Sequence, residues 1–203
     1  MSGTQAIDWE GRYRDGVTGW ERHGLNPAFL AWRESGLLPP CRILVPGGGR
    51  SLEPLALAES GFDVTVVDAA PSAVASQRAH FERLQVTARV DQADLFAWDP
   101  TVQFDAVYDQ TCLCALPPAL WPDYARRLHR WLRPGGRVFI LFMQSSRPTG
   151  PPFHCDLKTM RSLFAPPSWR WPEVLPERIE HPSGLAEQPA VLQREGSDAS
   201  RLA

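Results

Sequence analysis

The chain has 203 residues, which is enough for one domain with a well-buried core and too few for two domains of ordinary size. A net charge of −2, with 22% charged and 43% hydrophobic residues, is typical of a soluble globular protein and argues against partners such as nucleic acid or an anionic membrane surface. Because the chain has no membrane-spanning apolar run, no signal-peptide pattern at its N-terminus and only four irregularly spaced cysteines, we expect a cytoplasmic protein without disulfide bonds.

The first forty residues are rich in large aromatic side chains but have little strand character. Asn26-Pro27 begins a predicted helix over residues 26–35, since proline is favoured at the first helical position. We interpret residues 1–40 as a segment that covers the core formed by residues 41–194, and residues 195–203 as a disordered tail. All three parts belong to one predicted domain over residues 1–203.

The strongest pattern begins at residue 42. An apolar strand (42–46) leads into Gly47, Gly48 and Gly49, a helix follows over residues 52–60, and a second strand (63–68) ends at Asp68. A glycine turn between a strand and a helix lets a ligand approach bare backbone N–H groups. A carboxylate about 20 residues later, at the tip of the next strand, can accept both hydroxyls of a ribose. The pattern therefore predicts a site for a nucleoside cofactor.

The glycine spacing narrows the choice of cofactor. A dinucleotide fingerprint needs a third glycine where this chain has Leu52, which argues against a pyrophosphate on the helix N-terminus. The spacing fits a cofactor with adenosine but no phosphate, such as S-adenosylmethionine. A glycine turn alone is equally typical of a tight loop, and Asp68 is the residue that favours a cofactor.

The later elements alternate between helix and strand. The predicted helices cover 71–84, 123–132 and 156–164, and the predicted strands cover 87–91, 104–109, 137–143, 177–180 and 190–194. The last two strands are expected to pair antiparallel through the turn at 182–184. This order predicts an α/β fold: a doubly wound, Rossmann-like, mostly parallel sheet of seven strands with helices on both faces and the last strand antiparallel.

Three carboxylates follow or end predicted strands. Because ligands of open α/β sheets bind at the carboxyl ends of the strands, we expect Asp68, Asp94 and Asp109 to converge there. Aromatic faces and carboxylates also stabilise a sulfonium cation, which gives Trp9 and Trp20 a plausible role. The alternatives are that Asp68 and Asp94 cap helices and that the two tryptophans cover a core edge.

No metal site is predicted. Cys112 and Cys114 have no complementary cysteine pair, and the cysteines are better interpreted as small buried hydrophobes. The histidines are scattered, and no Cys/His or Ser/His/Asp constellation emerges. His154 lies in the loop 145–155, which makes it the one histidine worth testing.

These residues carry a resemblance to the S-adenosylmethionine-dependent methyltransferases, and within them to the thiopurine and thiol/halide methyltransferase group. The generic matches are the glycine turn, Asp68, Asp94-Leu95 and the Pro134-Gly135-Gly136 turn. The more specific matches are Trp9-x-x-x-Tyr13-x-x-Gly16-x-Thr18-Gly19-Trp20, Asn26-Pro27, Val45-Pro46-Gly47-x-Gly49-Arg50-Ser51-x-Glu53, Tyr108-Asp109-Gln110, Leu113-Cys114-Ala115-Leu116 and Gly150-Pro151-Pro152-Phe153.

The resemblance implies a role for each matching residue. Gly47 and Gly49 would approach the methionine part of the cofactor, Asp68 would bind the ribose, and Asp94 and Leu95 would contact the adenine. The same site would include the neighbours Val45, Gly48 and Ala69, and a lid formed by Trp9, Tyr13 and Trp20. Asp109 and Gln110 would lie near the sulfonium and the methyl acceptor, as the catalytic pair. Thiopurine-methylating members tend to carry arginine where Gln110 stands, so an anionic heterocycle is disfavoured as the substrate.

The expected function is methyl transfer from S-adenosyl-L-methionine, with S-adenosyl-L-homocysteine as product, to a small-molecule acceptor with a soft nucleophile (thiol, thiopurine-like, selenium, tellurium or halide). Such an in-line displacement needs alignment more than a strong base. We expect a monomer without nucleic-acid or membrane partners. The alternatives are a non-catalytic regulatory protein that binds the cofactor and an NAD-dependent oxidoreductase.

Overall fold

A mixed β-sheet carries the fold in the computed structural model, which describes residues 7–196. Within these residues the sheet has eight strands in the order β3-β2-β1-β4-β5-β8-β6, and β7 also pairs with β8. The strands are β1 (Arg42–Pro46), β2 (Asp63–Asp68), β3 (Arg89–Gln92), β4 (Phe104–Asp109), β5 (Leu132–Gln144), β6 (Trp169–Arg170), β7 (Ile179–Glu180) and β8 (Ala186–Arg194).

Strands β1 to β5 run parallel, and β8 runs antiparallel to β5 from Arg137↔Gln193 to Gln144↔Ala186. This arrangement confirms the predicted mostly parallel, doubly wound sheet with an antiparallel last strand. The predicted number of seven strands is wrong. The additional strand, β6, has only two residues, which is too short to show the alternation that identifies a strand in a sequence.

Helices cover both faces of the sheet, as predicted. They are α1 (Trp9–Arg14), α2 (Pro27–Glu34), α3 (Glu53–Glu59), α4 (Pro71–Leu84), α5 (Cys112–Ala115), α6 (Trp121–Trp131) and α7 (Leu157–Leu163), with a 3₁₀ turn at Pro118–Leu120. Successive strand residues point to opposite faces, so Ile43 packs with the cluster under α2, α3 and α4 while Leu44 packs with the cluster under α5, α6 and α7.

Several element boundaries differ from the predictions. Helix α6 begins at Trp121 and already ends at Trp131, and β5 begins at Leu132 rather than at residue 137. The strand passes through the proline-glycine turn with a shift in register against β4, and Gly135 has a φ of +78° there, a conformation open to glycine. The sequence indicated the turn but not that the strand continues through it. Helices α1 and α5, with six and four residues, are too short for a helical period to show.

The C-terminal hairpin forms, but with other partners than predicted. Strand β7 pairs with Ala186 and Glu187 at the start of β8, whereas residues 190–194 pair with β5 and β6. None of the described helices combines the length and the apolar character needed to cross a membrane. The division into covering segment, core and tail stays a prediction, and residues 197–203 of the expected tail lie outside the described residues.

Candidate functional site

A cavity of about 700 Å³ lies at the carboxyl ends of β1, β2 and β4. The turn after β1, the end of β2, the segment after β3 and the segment after β4 each contribute to its wall, and α1 lines it from the N-terminal segment. The predicted site residues on this wall are Trp9, Tyr13, Trp20, Gly47, Gly48, Gly49, Asp68, Ala69, Asp94, Leu95 and Gln110. The fold thus brings most of the predicted site together.

The glycine turn presents bare backbone to the cavity. Gly47 and Gly49 have φ values of +56° and +55°, which side-chain-bearing residues rarely adopt. A Cβ on Gly47 would lie 2.9 Å from Cys112 Sγ, and one on Gly49 would lie 2.7 Å from the Tyr13 hydroxyl. The turn therefore needs glycine at both positions, for conformation and for space.

Gly48 has a different constraint: its φ angle is one that any residue can adopt, but neighbouring side chains leave no space for a Cβ. A Cβ there would lie 2.6 Å from Cγ1 of Val66, a fully buried side chain on β2. We expect Gly48→Ala to lower the free energy of unfolding by about 1–3 kcal/mol, as overpacking of a core does. Denaturant titration would measure the loss, and Val66→Ala in the same chain should recover part of it. Gly24→Ala is the matched control, since nothing lies within 4 Å of its added Cβ.

Asp68 ties the end of β2 to the glycine turn. Its Oδ2 accepts the backbone N–H of Gly49 at 2.8 Å, and its Oδ1 accepts that of Ala70, just before α4, at 2.9 Å. Burial raises the pKa of this carboxyl, while the N–H groups act against that rise. Each oxygen retains a lone pair, so the carboxylate can both hold the turn and accept hydroxyls from a ligand in the cavity.

The segment after β3 forms another part of the wall. Asp94 is exposed and its Oδ1 accepts the backbone N–H of Phe96 at 2.8 Å, while Leu95 is buried. Ala69, after β2, is exposed on the same wall. A carboxylate beside an apolar side chain suits a flat heterocycle that carries an amino group.

Three aromatic rings from the N-terminal segment lie together over the cavity. Trp20 meets Trp9 edge-on at 5.5 Å between ring centroids and meets Tyr13 at 5.7 Å in the same manner. Glu10, on the same helix α1 as Trp9 and Tyr13, contacts the start of α4. Its Oε2 accepts the backbone N–H of Ser72 at 2.9 Å, and its Oε1 accepts the Ser72 hydroxyl at 2.5 Å. Helix α4 has no side-chain cap from its own N-cap residue, Ala70, so Glu10 supplies one from α1.

Two predicted site residues do not reach the cavity wall. Asp109 is fully buried: its Oδ1 accepts the backbone N–H groups of Cys112 (3.1 Å) and Leu113 (3.2 Å), and its Oδ2 accepts the Tyr124 hydroxyl (2.8 Å). In this structure Asp109 thus holds α5 behind the cavity wall, and its contact with a cofactor or acceptor stays a prediction. Val45 is also buried, beneath Gly48, with its Cγ1 3.5 Å from where a Cβ on that glycine would lie.

Gln110 is the residue of the predicted catalytic pair that faces the cavity. Its Oε1 accepts the hydroxyl of Tyr108 at 2.6 Å, which leaves its amide N–H groups for a ligand. His154 does not line the cavity. Its Nδ1 accepts the backbone N–H of Ser145 at 3.0 Å, which joins the two ends of the loop 145–155.

Further wall residues were missed by sequence reasoning. Arg22, Met143, Arg147 and His181 line the cavity with Pro151 and Pro152. The proline pair was part of a recognised motif, but Arg22 and His181 come from opposite ends of the chain and no local pattern marks either of them.

The three buried cysteines, two of which lie on the cavity wall, are inert thiols. Burial raises the pKa of Cys112, Cys114 and Cys155, which keeps each sulfur protonated near neutral pH. Among residues 7–196, no three His, Cys, Asp or Glu side chains come close enough together to hold a metal ion.

Comparisons with known proteins agree with this geometry. Residues 4–194 match the sequence model of the family described as thiopurine S-methyltransferase. Probable thiol methyltransferase 2 of Arabidopsis thaliana is 30% identical over 169 residues, which cover 82% of this chain and 75% of that protein. Thiopurine S-methyltransferase of Vibrio parahaemolyticus is 30% identical over 173 residues, which cover 77% of this chain and 80% of that protein.

A solved structure shares the fold. The 1,6-didemethyltoxoflavin-N1-methyltransferase of Burkholderia thailandensis superimposes with a TM-score of 0.73 at 22% identity, over 92% of this chain and 85% of that one. The family match also confirms the predicted resemblance and the predicted enzyme class and cofactor. The chain therefore belongs to the thiopurine S-methyltransferase family and is an S-adenosylmethionine-dependent methyltransferase.

Proposed function

We propose that the protein transfers the methyl group of S-adenosylmethionine to a small organic thiol or thiopurine-like sulfur atom, with selenium, tellurium and halide acceptors as the wider class. The observation that carries the proposal is one cavity whose wall includes both the glycine turn with Asp68 and residues of other elements, Gln110, Met143 and Pro151. A cavity of this size is typical of sites that bind small molecules. The names of the thiol and thiopurine methyltransferases among the relatives support sulfur as the acceptor atom.

The cofactor half of the site is assigned from these placements. Gly47, Gly48 and Gly49 would hold the methionine end of the cofactor, and Asp68 would bind the ribose hydroxyls. The adenine would lie against Leu95 and Ala69, with Asp94 accepting its amino group. Trp9, Tyr13 and Trp20 would close over the cofactor, and Gln110 would face the reacting atoms.

When bound, the cofactor supplies an electrophilic methyl group on a sulfonium. The protein's own contribution is alignment and the exclusion of water, because an in-line displacement gains most from holding the two reactants in contact. A thiolate is already a nucleophile near neutral pH, so no strong base is needed. The amide N–H groups of Gln110 can hydrogen-bond an anionic acceptor before its charge is neutralised by methylation.

Two experiments test this function. Calorimetry with S-adenosylmethionine, S-adenosylhomocysteine and NAD should give binding of the first two ligands only. Formation of S-adenosylhomocysteine should then be followed with a panel of thiols, selenite, tellurite, iodide and mercaptopurine. Tight binding without turnover on any acceptor would favour the regulatory alternative. The oxidoreductase alternative is already disfavoured, because the chain belongs to a methyltransferase family.

The contact between Glu10 and Ser72 gives a testable prediction about the lid. We expect Glu10→Ala to speed the dissociation of S-adenosylhomocysteine about tenfold, because the mutation removes two hydrogen bonds to a charged carboxylate that hold the aromatic lid on α4. The hydrogen bonds from Ser72 lower the pKa of Glu10, so the carboxylate is ionised near neutral pH.

Ser72→Ala is the graded control for the lid, since it removes the hydroxyl contact and keeps the backbone N–H. Its effect should be smaller than that of Glu10→Ala. Stopped-flow measurement of tryptophan fluorescence would report both rates, and equal dissociation rates in the wild type and Glu10→Ala would refute the role of this contact.

We also propose that the enzyme acts as a monomer in the cytoplasm, on a small molecule rather than on nucleic acid. The slightly negative net charge of −2 and the partly enclosed cavity support this view. Light scattering of the purified protein would test the oligomeric state.

A further inference from the structure

His181 is a buried histidine on the cavity wall whose tautomer is fixed by its neighbours. It lies in the turn between β7 and β8 and is only 4% exposed. Its Nδ1 accepts the backbone N–H of Ser183 at 3.2 Å and lies 2.7 Å from the hydroxyl of the same residue. Burial and the nearby Arg22 lower the pKa of His181 to about 4, so the ring is neutral near pH 7. A neutral ring whose Nδ1 accepts an N–H carries its proton on Nε2.

The Nε2–H group of His181 has no hydrogen-bond partner among the described residues, although it is buried. A buried donor without a partner costs about 1–3 kcal/mol, and in a native protein such a group calls for an explanation. Nε2 itself is covered in this structure, but His181 belongs to the cavity wall, so a small shift of the ring on ligand binding would bring this donor to an acceptor in the cavity.

A second unpartnered donor comes from Arg22, which also lines the cavity. Arg22 Nη2 donates to Glu187 Oε2 at 2.7 Å and to the backbone oxygen of Glu180, the residue before His181, at 2.5 Å. Its Nε is buried and has no partner within residues 7–196. The guanidinium and the imidazole thus meet at the same hairpin.

The charge of Arg22 is already balanced. Glu187 is fully buried and also accepts a hydrogen bond from Asn26 Nδ2 at 3.3 Å. This corner of the cavity therefore offers two N–H donors without a net positive charge. Such a corner suits an uncharged acceptor atom of a ligand better than a ligand carboxylate, because that carboxylate would lie close to the one of Glu187.

We propose that His181 is a specificity-determining residue, whose Nε2–H, with the Nε–H of Arg22, binds an uncharged hydrogen-bond acceptor such as a carbonyl oxygen on an organic thiol substrate. The inference rests on the proposed function and narrows it to thiols that carry a second, polar group. A halide ion at the methyl group has no second group that could reach these donors.

Two thiols of nearly equal shape test the inference: 3-mercaptobenzamide, which carries a carbonyl oxygen, and 3-isopropylthiophenol, which does not. For the wild type we expect kcat/KM to favour the amide about tenfold, the worth of one or two hydrogen bonds. His181→Phe should abolish this preference while the affinity for S-adenosylmethionine, measured by calorimetry, stays unchanged. His181→Gln, which restores a donor, should recover part of it.

His129→Phe is the matched control. His129 packs against Trp169 with 5.5 Å between ring centroids and is not on the cavity wall, so the preference should persist in that variant. A wild-type enzyme that treats the two thiophenols alike would overturn the inference, even if His181→Phe failed to fold. A preference for the amide that survives in a folded His181→Phe protein would also overturn the inference.

Different experimental outcomes would overturn the role of His181 and the proposed methyl transfer. Turnover of iodide or of simple alkyl thiols, with neither thiophenol methylated, would overturn the role of His181 and leave the proposed methyl transfer standing. The absence of turnover with every acceptor, despite cofactor binding, would remove the proposed function and this inference together.

Discussion

Replacement of Asp109 by alanine is expected to lower the free energy of unfolding by about 3–5 kcal/mol at pH 5. The mutation removes the common acceptor of three buried donors: the backbone N–H groups of Cys112 and Leu113 and the hydroxyl of Tyr124. In the folded protein these donors are shielded from bulk water, because Asp109 and Tyr124 are both completely buried. Urea titration followed by circular dichroism would measure the loss.

Asp109→Asn is the control that keeps the shape of the side chain, and its loss should be smaller. The pH dependence of the free energy of unfolding distinguishes the wild type from Asp109→Asn further. Burial raises the pKa of Asp109 to about 6 in the folded protein, whereas the ordinary value is 3.8. The folded state therefore binds more protons than the unfolded state between these two values, and the wild type loses stability as the pH rises through 6.

Asparagine does not titrate, so the stability gap between Asp109→Asn and the wild type should narrow or reverse between pH 4 and pH 7, by up to about 3 kcal/mol. A different outcome would support the catalytic role expected from the resemblance. Such an outcome is an Asp109→Ala protein as stable as the wild type that nevertheless loses methyl transfer and binds cofactor normally.

The position of Asp109 shows where prediction from the sequence reached its limit. Parallel strands bring their ends to one edge, which correctly placed Asp68 and Asp94 on the cavity wall, and the family resemblance added Gln110. The sequence could not show which of the two successive residues, Asp109 or Gln110, faces the cavity. That choice depends on Thr111, whose φ of +63° turns the chain so that α5 folds back onto Asp109.

The central strands were predictable, and the part of the cavity wall that contains Arg22 and His181 was not. Strands β1, β2 and β4 are short buried apolar segments next to clear turn signals, and their predicted bounds agree with the structure. Arg22 and His181 meet only because the hairpin of β7 and β8 lies against the N-terminal segment. A contact between two ends of the chain leaves no period or spacing in the sequence.

Loss of the Asp68 carboxylate is expected to lower the affinity for the cofactor. We expect Asp68→Ala to weaken the binding of S-adenosylmethionine by about 1.5–3 kcal/mol, which is roughly a 10- to 150-fold rise in Kd. The mutation has two consequences in the same direction: the ribose loses a charged acceptor, and the glycine turn loses the carboxylate that holds the N–H of Gly49 at 2.8 Å. Calorimetry would measure the change.

A modified ligand separates these two consequences. In the wild type, 2′-deoxy-S-adenosylhomocysteine should bind more weakly than S-adenosylhomocysteine, because one hydroxyl no longer reaches the carboxylate. In Asp68→Ala the two ligands should bind alike, since the partner of that hydroxyl is gone, while the loss from a loosened glycine turn affects both equally.

Asp63→Ala controls for a change on the same strand. Asp63 lies at the far end of β2, exposed and paired with Arg42 at 2.9 Å, so its loss should change cofactor affinity by less than about 0.5 kcal/mol. If the deoxy ligand still bound Asp68→Ala more weakly than S-adenosylhomocysteine by the same factor as in the wild type, another residue would bind the ribose. The carboxylate of Asp68 would then serve only to hold the turn, and the pairing of a glycine turn with a distant acid would have predicted a structural contact rather than a binding one.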